Sequence, residues 1–167
     1  MLNSLFSLPV IEYFRGMMIN CPEMRLALHY AQTAALQGEV PVGAVIVQGS
    51  KIIACAGNRV IQDRDPTAHA EILAIRQAAI TLQEARLEQC DLYVTLEPCA
   101  MCAQAISLAR LRRLYFGAYD PKGGGVDHGS RVFDHATCHH RPEIYGGIQE
   151  TECGALLKDF FNGLRRL

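Results

Sequence analysis

Three side chains of metal-ligand type, set at the openings of two helical segments, constrain this chain more than any other feature. His69 stands in PTAHAE, and Cys99 and Cys102 follow in PCAMC, thirty and thirty-three positions later. Residues three apart share a helix face, so both sulfurs can converge on one ion while the imidazole arrives from a neighbouring helix. The fold must therefore bring two helix N-termini to one point. Their partial positive ends favour thiolate over thiol, the form a metal requires. One imidazole and two thiolates form a borderline-soft set that suits tetrahedral zinc. Closed structural sites use four protein ligands, so three imply a working site with an open position. Glu71, two residues past His69, is placed to face that position and to move a proton beside it. Taken singly, HAE is a helix fragment, and a CxxC pair equally suits redox chemistry or a buried sulfur. The pairing of the two motifs carries the reading.

The rest of the chain supplies the scaffold. Residues 22–37 place Met24, Leu28, Ala31 and Ala35 on one helical face between Pro22 and Gly38. GAVIVQ and KIIACAG flank Gly49 and Ser50, a two-residue connection suited to an antiparallel hairpin. After the polar loop NRVIQDRD, PTAHAEILAIRQAA reads as a helix from Pro66, DLYVTLE as a strand, PCAMCAQAISLA as a helix from Pro98, and RRLYFGAY as a strand. PKGGGVDHG is a loop and HRPEIYGG holds a short strand. ETECGALLKDFFNGLRRL is a terminal helix with Leu156, Leu157, Phe160 and Phe161 expected to face the core. This order predicts a three-layer α/β/α domain around a central mixed five-stranded sheet, with DLYVTLE and RRLYFGAY as parallel neighbours joined by a right-handed crossover.

Half of the 167 residues are hydrophobic, which is enough for one core. The net charge of −1 does not announce a nucleic-acid partner, so any such partner must be held locally. No apolar run reaches the roughly 18 residues of a membrane-spanning helix. Residues 1–20 are apolar but lack a basic start and a small-residue cleavage site, so no secretory signal is expected, and Met17, Met18 and Met24 leave room for a later start. Seven cysteines make an odd count, which fits a reducing cytosol better than a disulfide framework.

HAE followed by PCxxC resembles the signature of zinc-dependent nucleoside and nucleobase deaminases. GEVPVGAV, Asn58 before DPTAHAEI, TLEPCAMC and ECGALLKDFF extend the resemblance to the bacterial tRNA-specific adenosine deaminases, over residues 22–163. The resemblance implies a cytidine-deaminase-like fold, with residues 21–167 as a single zinc-dependent deaminase domain behind an N-terminal extension, residues 1–20, of no assigned role. It implies one Zn2+ per chain on His69, Cys99 and Cys102, and Glu71 as proton shuttle in converting adenosine to inosine at the wobble position of tRNA. The implied partners are the anticodon stem-loop and a second copy of the chain, in the cytoplasm and away from any membrane.

For substrate contacts, the resemblance assigns Asn58 to the target nucleotide, a task its amide suits by offering donor and acceptor together. A turn role is the alternative. Glu39 and Val40 fall at the pocket mouth or else simply in a loop entering a buried strand, and Asp120 near the RNA backbone or else in a turn before Pro121. Arg110, Arg112, Arg113, Arg131, Arg141, Lys158, Arg165 and Arg166 are candidate phosphate contacts, in a second half that is slightly basic. The stretch GGGVDHGSRVFDHATCHH departs from the pattern of the best-known bacterial members. Its His135, Cys138, His139 and His140 have ligand-type side chains at short spacing, but adjacent histidines rarely reach one ion together, and RNA or solvent contacts explain them more simply than a second metal site. Two other readings remain open at this point: deamination of a free nucleobase or nucleoside by the same site, and a zinc-stabilised binding domain without catalysis.

Overall fold

Side chains alternate along the three central strands, apolar on both faces, so helices must cover both sides of the sheet. The computed structural model describes residues 21–165. The N-terminal extension and Arg166 lie outside the described residues. Strands β1 (Gly43–Gln48), β2 (Lys51–Gly57), β3 (Cys90–Leu96), β4 (Arg113–Ala118) and β5 (Glu143–Tyr145) form one sheet in the order β2-β1-β3-β4-β5. β1 runs antiparallel to β2 and β3, while β3, β4 and β5 are parallel. The helices are α1 (Pro22–Leu36), the single turn α2 (Val60–Asp63), α3 (Ala70–Leu82), α4 (Ala100–Leu108) and α5 (Glu150–Leu164).

Ala44, Ile46, Leu92, Val94, Leu114 and Phe116 pack against α3, α4 and the 3-10 turn Val132–Asp134. Each large apolar side chain shut away there contributes about 2 kcal/mol. On the opposite face Val45, Val47, Tyr93 and Tyr115 meet α1 and α5. The parallel register sets Tyr93, Tyr115 and Tyr145 side by side, and their rings stack at 4.4 and 4.8 Å between centroids.

The expected face of α1 is shifted. Met24, Ala27, Ala31 and Ala34 are buried, while Leu28 and Ala35 are half-buried. The cause is close approach: a Cβ on Gly43 would lie 1.9 Å from the Ala27 carbonyl oxygen, so this helix packs onto β1 through alanines. Gly43→Ala is expected to destabilise the protein by about 3 kcal/mol. An unchanged urea midpoint would contradict this packing. The terminal helix also differs from expectation. Cys153 is its buried residue, Leu156, Leu157 and Phe160 are half-buried, and Phe161 is 42% exposed. Phe160 and Phe161 line a cleft rather than the core.

Candidate metal centre and substrate cleft

The two ligand-bearing helices begin later than their prolines suggest, and the delay places the ligands. Asp65 Oδ1 accepts the Thr67 N–H at 2.8 Å and its hydroxyl at 2.7 Å, folding Pro66–Ala68 into a turn. α3 therefore starts at Ala70 with His69 as its extended N-cap. Cys99 is likewise the N-cap of α4, and Cys102 lies in that helix's first turn. His69 Nδ1 stands 3.7 Å from Cys99 Sγ and 3.5 Å from Cys102 Sγ. Legs of about 2.0 Å to nitrogen and 2.3 Å to sulfur at the tetrahedral angle require a separation of about 3.5 Å. The three donors fit one metal ion.

Hydrogen bonding from Cys102, aided by His69, lowers the Cys99 thiol to about 4 despite its partial burial. Its hydrogen bond to Cys99, together with burial, pushes Cys102 up, and His69 is raised by its bond to Cys99. The trio thus shares protons that a cation would displace. Glu71 is 4% exposed, and burial pushes its carboxyl up to about 7, with the charge of Cys99 adding to the shift and that of His69 opposing it.

These groups border a cleft of about 460 Å³ whose lining includes His69, Glu71, Cys99, Asn58, Val40 and Asp120. Cys102 lies behind it, fully buried. Asn58 is 7% exposed, and its Oδ1 accepts the Ala70 N–H at 2.9 Å, tying the end of β2 to the start of α3. Its amide donor is what remains for a ligand. Val40 is 36% exposed at the cleft. Glu39 is buried, and its Oε1 accepts the N–H groups of Ile61 and Gln62 at 2.8 and 2.9 Å. It caps α2 and so holds Val60 and Ile61 at the rim. Asp120 Oδ1 accepts from the N–H groups of Lys122 and Gly123, so this residue both shapes a turn and lines the cleft.

A family model described as MafB19-like deaminase matches residues 21–165. The chain belongs to the MafB19-like deaminase family. This deaminase is 54% identical over 142 residues to the tRNA-specific adenosine deaminase of Agrobacterium fabrum, spanning 85% of this chain and 93% of that protein. It is 46% identical over 144 residues to the tRNA-specific adenosine deaminase of Rickettsia bellii, spanning 85% and 99%. One solved structure comes from a study of A-to-I editing by tRNA:A34 deaminases at the wobble position of transfer RNA. It matches with a TM-score of 0.81 at 53% identity, over 83% of this chain and 100% of that one. The cytidine-deaminase-like fold and the family resemblance read from HAE and PCAMC are borne out.

Five of the arginines named as candidate phosphate contacts are engaged in ion pairs with carboxylates. Arg112 pairs with Asp91 at 2.8 Å, Arg113 with Glu143 at 2.9 Å, Arg110 with Glu88 at 3.6 Å, and Arg131 and Arg141 both pair with Asp134. Arg165 instead joins Lys122 and Tyr119 around a recess of about 580 Å³ that shares Val40, Asp120, Gly123 and Phe161 with the cleft. Nor do His135, Cys138, His139 and His140 gather: among the described residues, His69, Cys99 and Cys102 alone bring three ligand atoms together. Ser107 Oγ lies 3.4 Å from Cys138 Sγ, and His140 Nε2 donates to the Leu111 carbonyl at 2.7 Å, so these side chains fasten the approach to β5. Sequence reasoning missed Glu97, the carboxylate directly after β3, whose side chain is fully buried. A charge in that setting was its available signal.

Proposed function

We propose that this deaminase hydrolyses adenosine to inosine at the wobble position of tRNA, with one Zn2+ held by His69, Cys99 and Cys102 and with Glu71 as proton carrier. The observation that carries the reading is the spacing of three donors for one tetrahedral ion beside a buried carboxyl on the same cleft. Zinc bound there supplies Lewis acidity that makes water nucleophilic near neutral pH. Glu71 takes a proton from the attacking water and passes it to the adenine ring nitrogen as C6 gains oxygen. It then takes the second proton from the new C6 hydroxyl and delivers it to the departing amine; the C6–N bond breaks as the C6 carbonyl forms, and ammonia leaves. The free amide donor of Asn58 orients the base through a ring acceptor, while Val40 and Asp120 border its entry.

Two further observations favour RNA over a free base. The named relatives act on tRNA, and the cleft continues into a recess where Tyr119 and Phe161 offer stacking faces and Lys122 and Arg165 offer charge. An anticodon loop presents its base nearly unpaired, which lowers the few kcal/mol needed to extrude it. The proposal extends to a homodimer in the cytoplasm, on the strength of the family resemblance, and sedimentation as a monomer would overturn the dimer. Residues 21–167 form the catalytic domain in this reading, and residues 1–20 are left without a role. Among the described residues no helix is long and apolar enough to cross a membrane.

Incubation with total tRNA followed by sequencing is expected to show adenosine read as guanosine at a wobble position. No conversion at any such position would overturn the assignment, and ammonia release from free bases with tRNA untouched would move it to the free-base reading. Replacing Lys122 and Arg165 together by alanine is expected to raise KM for an anticodon stem-loop about tenfold. It should also flatten the dependence of log affinity on log salt by roughly 1.4, about 0.7 per phosphate contact. An unchanged slope would remove both residues from the RNA path.

A further inference from the structure

Glu97 leaves β3 two residues before the ligand Cys99 and turns its carboxylate inward, where the side chain has no exposure to solvent. A buried carboxylate needs its lone pairs filled, and a single loop fills them. Oε1 accepts the N–H groups of Val126, Asp127 and His128 at 3.3, 2.9 and 2.9 Å. Oε2 accepts the Asp120 N–H at 2.9 Å and the His128 Nδ1–H at 2.8 Å. The loop is also bonded to the metal centre's own backbone: Gly125 N–H donates to the Pro98 carbonyl at 2.8 Å, and Gly124 pairs with Cys99. Two glycines allow this approach: a Cβ on Gly124 would meet Glu97 Oε1 at 2.5 Å, and one on Gly125 would meet the Ala100 backbone nitrogen at 2.6 Å. The same loop supplies Asp120 and Gly123 to the cleft and Lys122 to its recess.

We propose that Glu97 and His128 form a latch that holds the Asp120–His128 loop at a fixed position relative to Cys99, and that this latch sets the affinity of the cleft for the RNA substrate. Glu97 is a positioning residue, acting through Asp120, Gly123 and Lys122. His128 closes the latch from the far end of this loop. The inference rests on reading the cleft as the RNA site. A carboxylate is required chemically, because both of its oxygens accept. Glutamine would turn an NH2 group against either the three N–H groups at one oxygen or the two donors at the other.

The test compares the full chain, zinc-loaded, with its Glu97→Gln, His128→Ala and His128→Asn variants. Backbone amides 124–128 are expected to exchange slowly in the parent, and at least about tenfold faster in Glu97→Gln and His128→Ala. KM for an anticodon stem-loop RNA should rise about tenfold in Glu97→Gln and about threefold in His128→Ala, with kcat within about twofold and one zinc per chain retained. His128→Asn should restore the parent KM, because its amide N–H replaces the Nδ1–H donor. A structural role alone would lower the unfolding midpoint and leave the KM of the folded enzyme unchanged, which would overturn the proposal. If Glu97→Gln does not fold, the His128 pair decides: equal KM in the alanine and asparagine variants refutes the latch. If the parent does not deaminate RNA at all, the substrate assignment fails, and the exchange measurement then judges the latch alone. Fast exchange at amides 124–128 in the parent would refute it.

Discussion

Replacing Glu71 by glutamine is expected to lower kcat/KM for an anticodon stem-loop by about 10⁴-fold, the upper range for loss of a general acid and base. The substitution keeps the size and shape of a side chain that is 4% exposed, so packing is preserved. It removes a carboxyl whose burial already disfavours the charged form, so the unfolding midpoint should stay level or rise slightly. What disappears is the capacity to take a proton at one step and return it at another, which an amide lacks near neutral pH. Zinc per chain should remain at one, because Glu71 is not among the three gathered donors. Parallel measurements of turnover, elemental zinc and thermal unfolding check the result. Activity above a tenth of the parent's would remove Glu71 from the chemistry.

The site was legible because its chemistry sits on short, rigid spacings. Cys99 and Cys102 share the first turn of one helix, and His69 and Glu71 flank the start of another, so neither pair depends on long-range packing to be recognised. The sheet was legible for a similar reason: GAVIVQ and KIIACAG pair through Gly49 and Ser50 as expected, and DLYVTLE and RRLYFGAY lie parallel. Other features depended on tertiary distances that no local pattern encodes. The alanine face of α1 follows from how closely Gly43 lets a helix approach β1. Phe160 and Phe161 fit a core stripe by periodicity alone, and their place at the cleft follows from the direction of α5. Arg112 and Arg113 looked available for phosphate because their partners, Asp91 and Glu143, lie far off in sequence. Glu97 was hidden because four of its five donors are backbone N–H groups of a glycine-rich loop, which have no side-chain signature, and the fifth, His128, lies 31 residues on.

Cys102→Ser is expected to reduce zinc from one per chain to near zero and deamination to the background rate. The sulfur is fully buried behind the cleft, so no water-borne donor can take its place at that vertex. A serine hydroxyl stays protonated near neutral pH, and the two remaining donors leave an ion half-coordinated. The fold should survive, because the core on that face is built from β1, β3 and β4 side chains such as Ile46, Leu92 and Phe116 that do not touch the ion's donors for their burial. A site saturated at 100 times its dissociation constant stabilises the parent by about 2.7 kcal/mol, which the variant forfeits. Chelation gives the matching control. Stripping zinc from the parent should lower its stability by that same amount, whereas a chelator should leave Cys102→Ser where it began. Should the variant keep its zinc, or should the parent lose metal with neither stability nor turnover affected, His69, Cys99 and Cys102 would be a cluster of polar side chains and not the centre of the reaction.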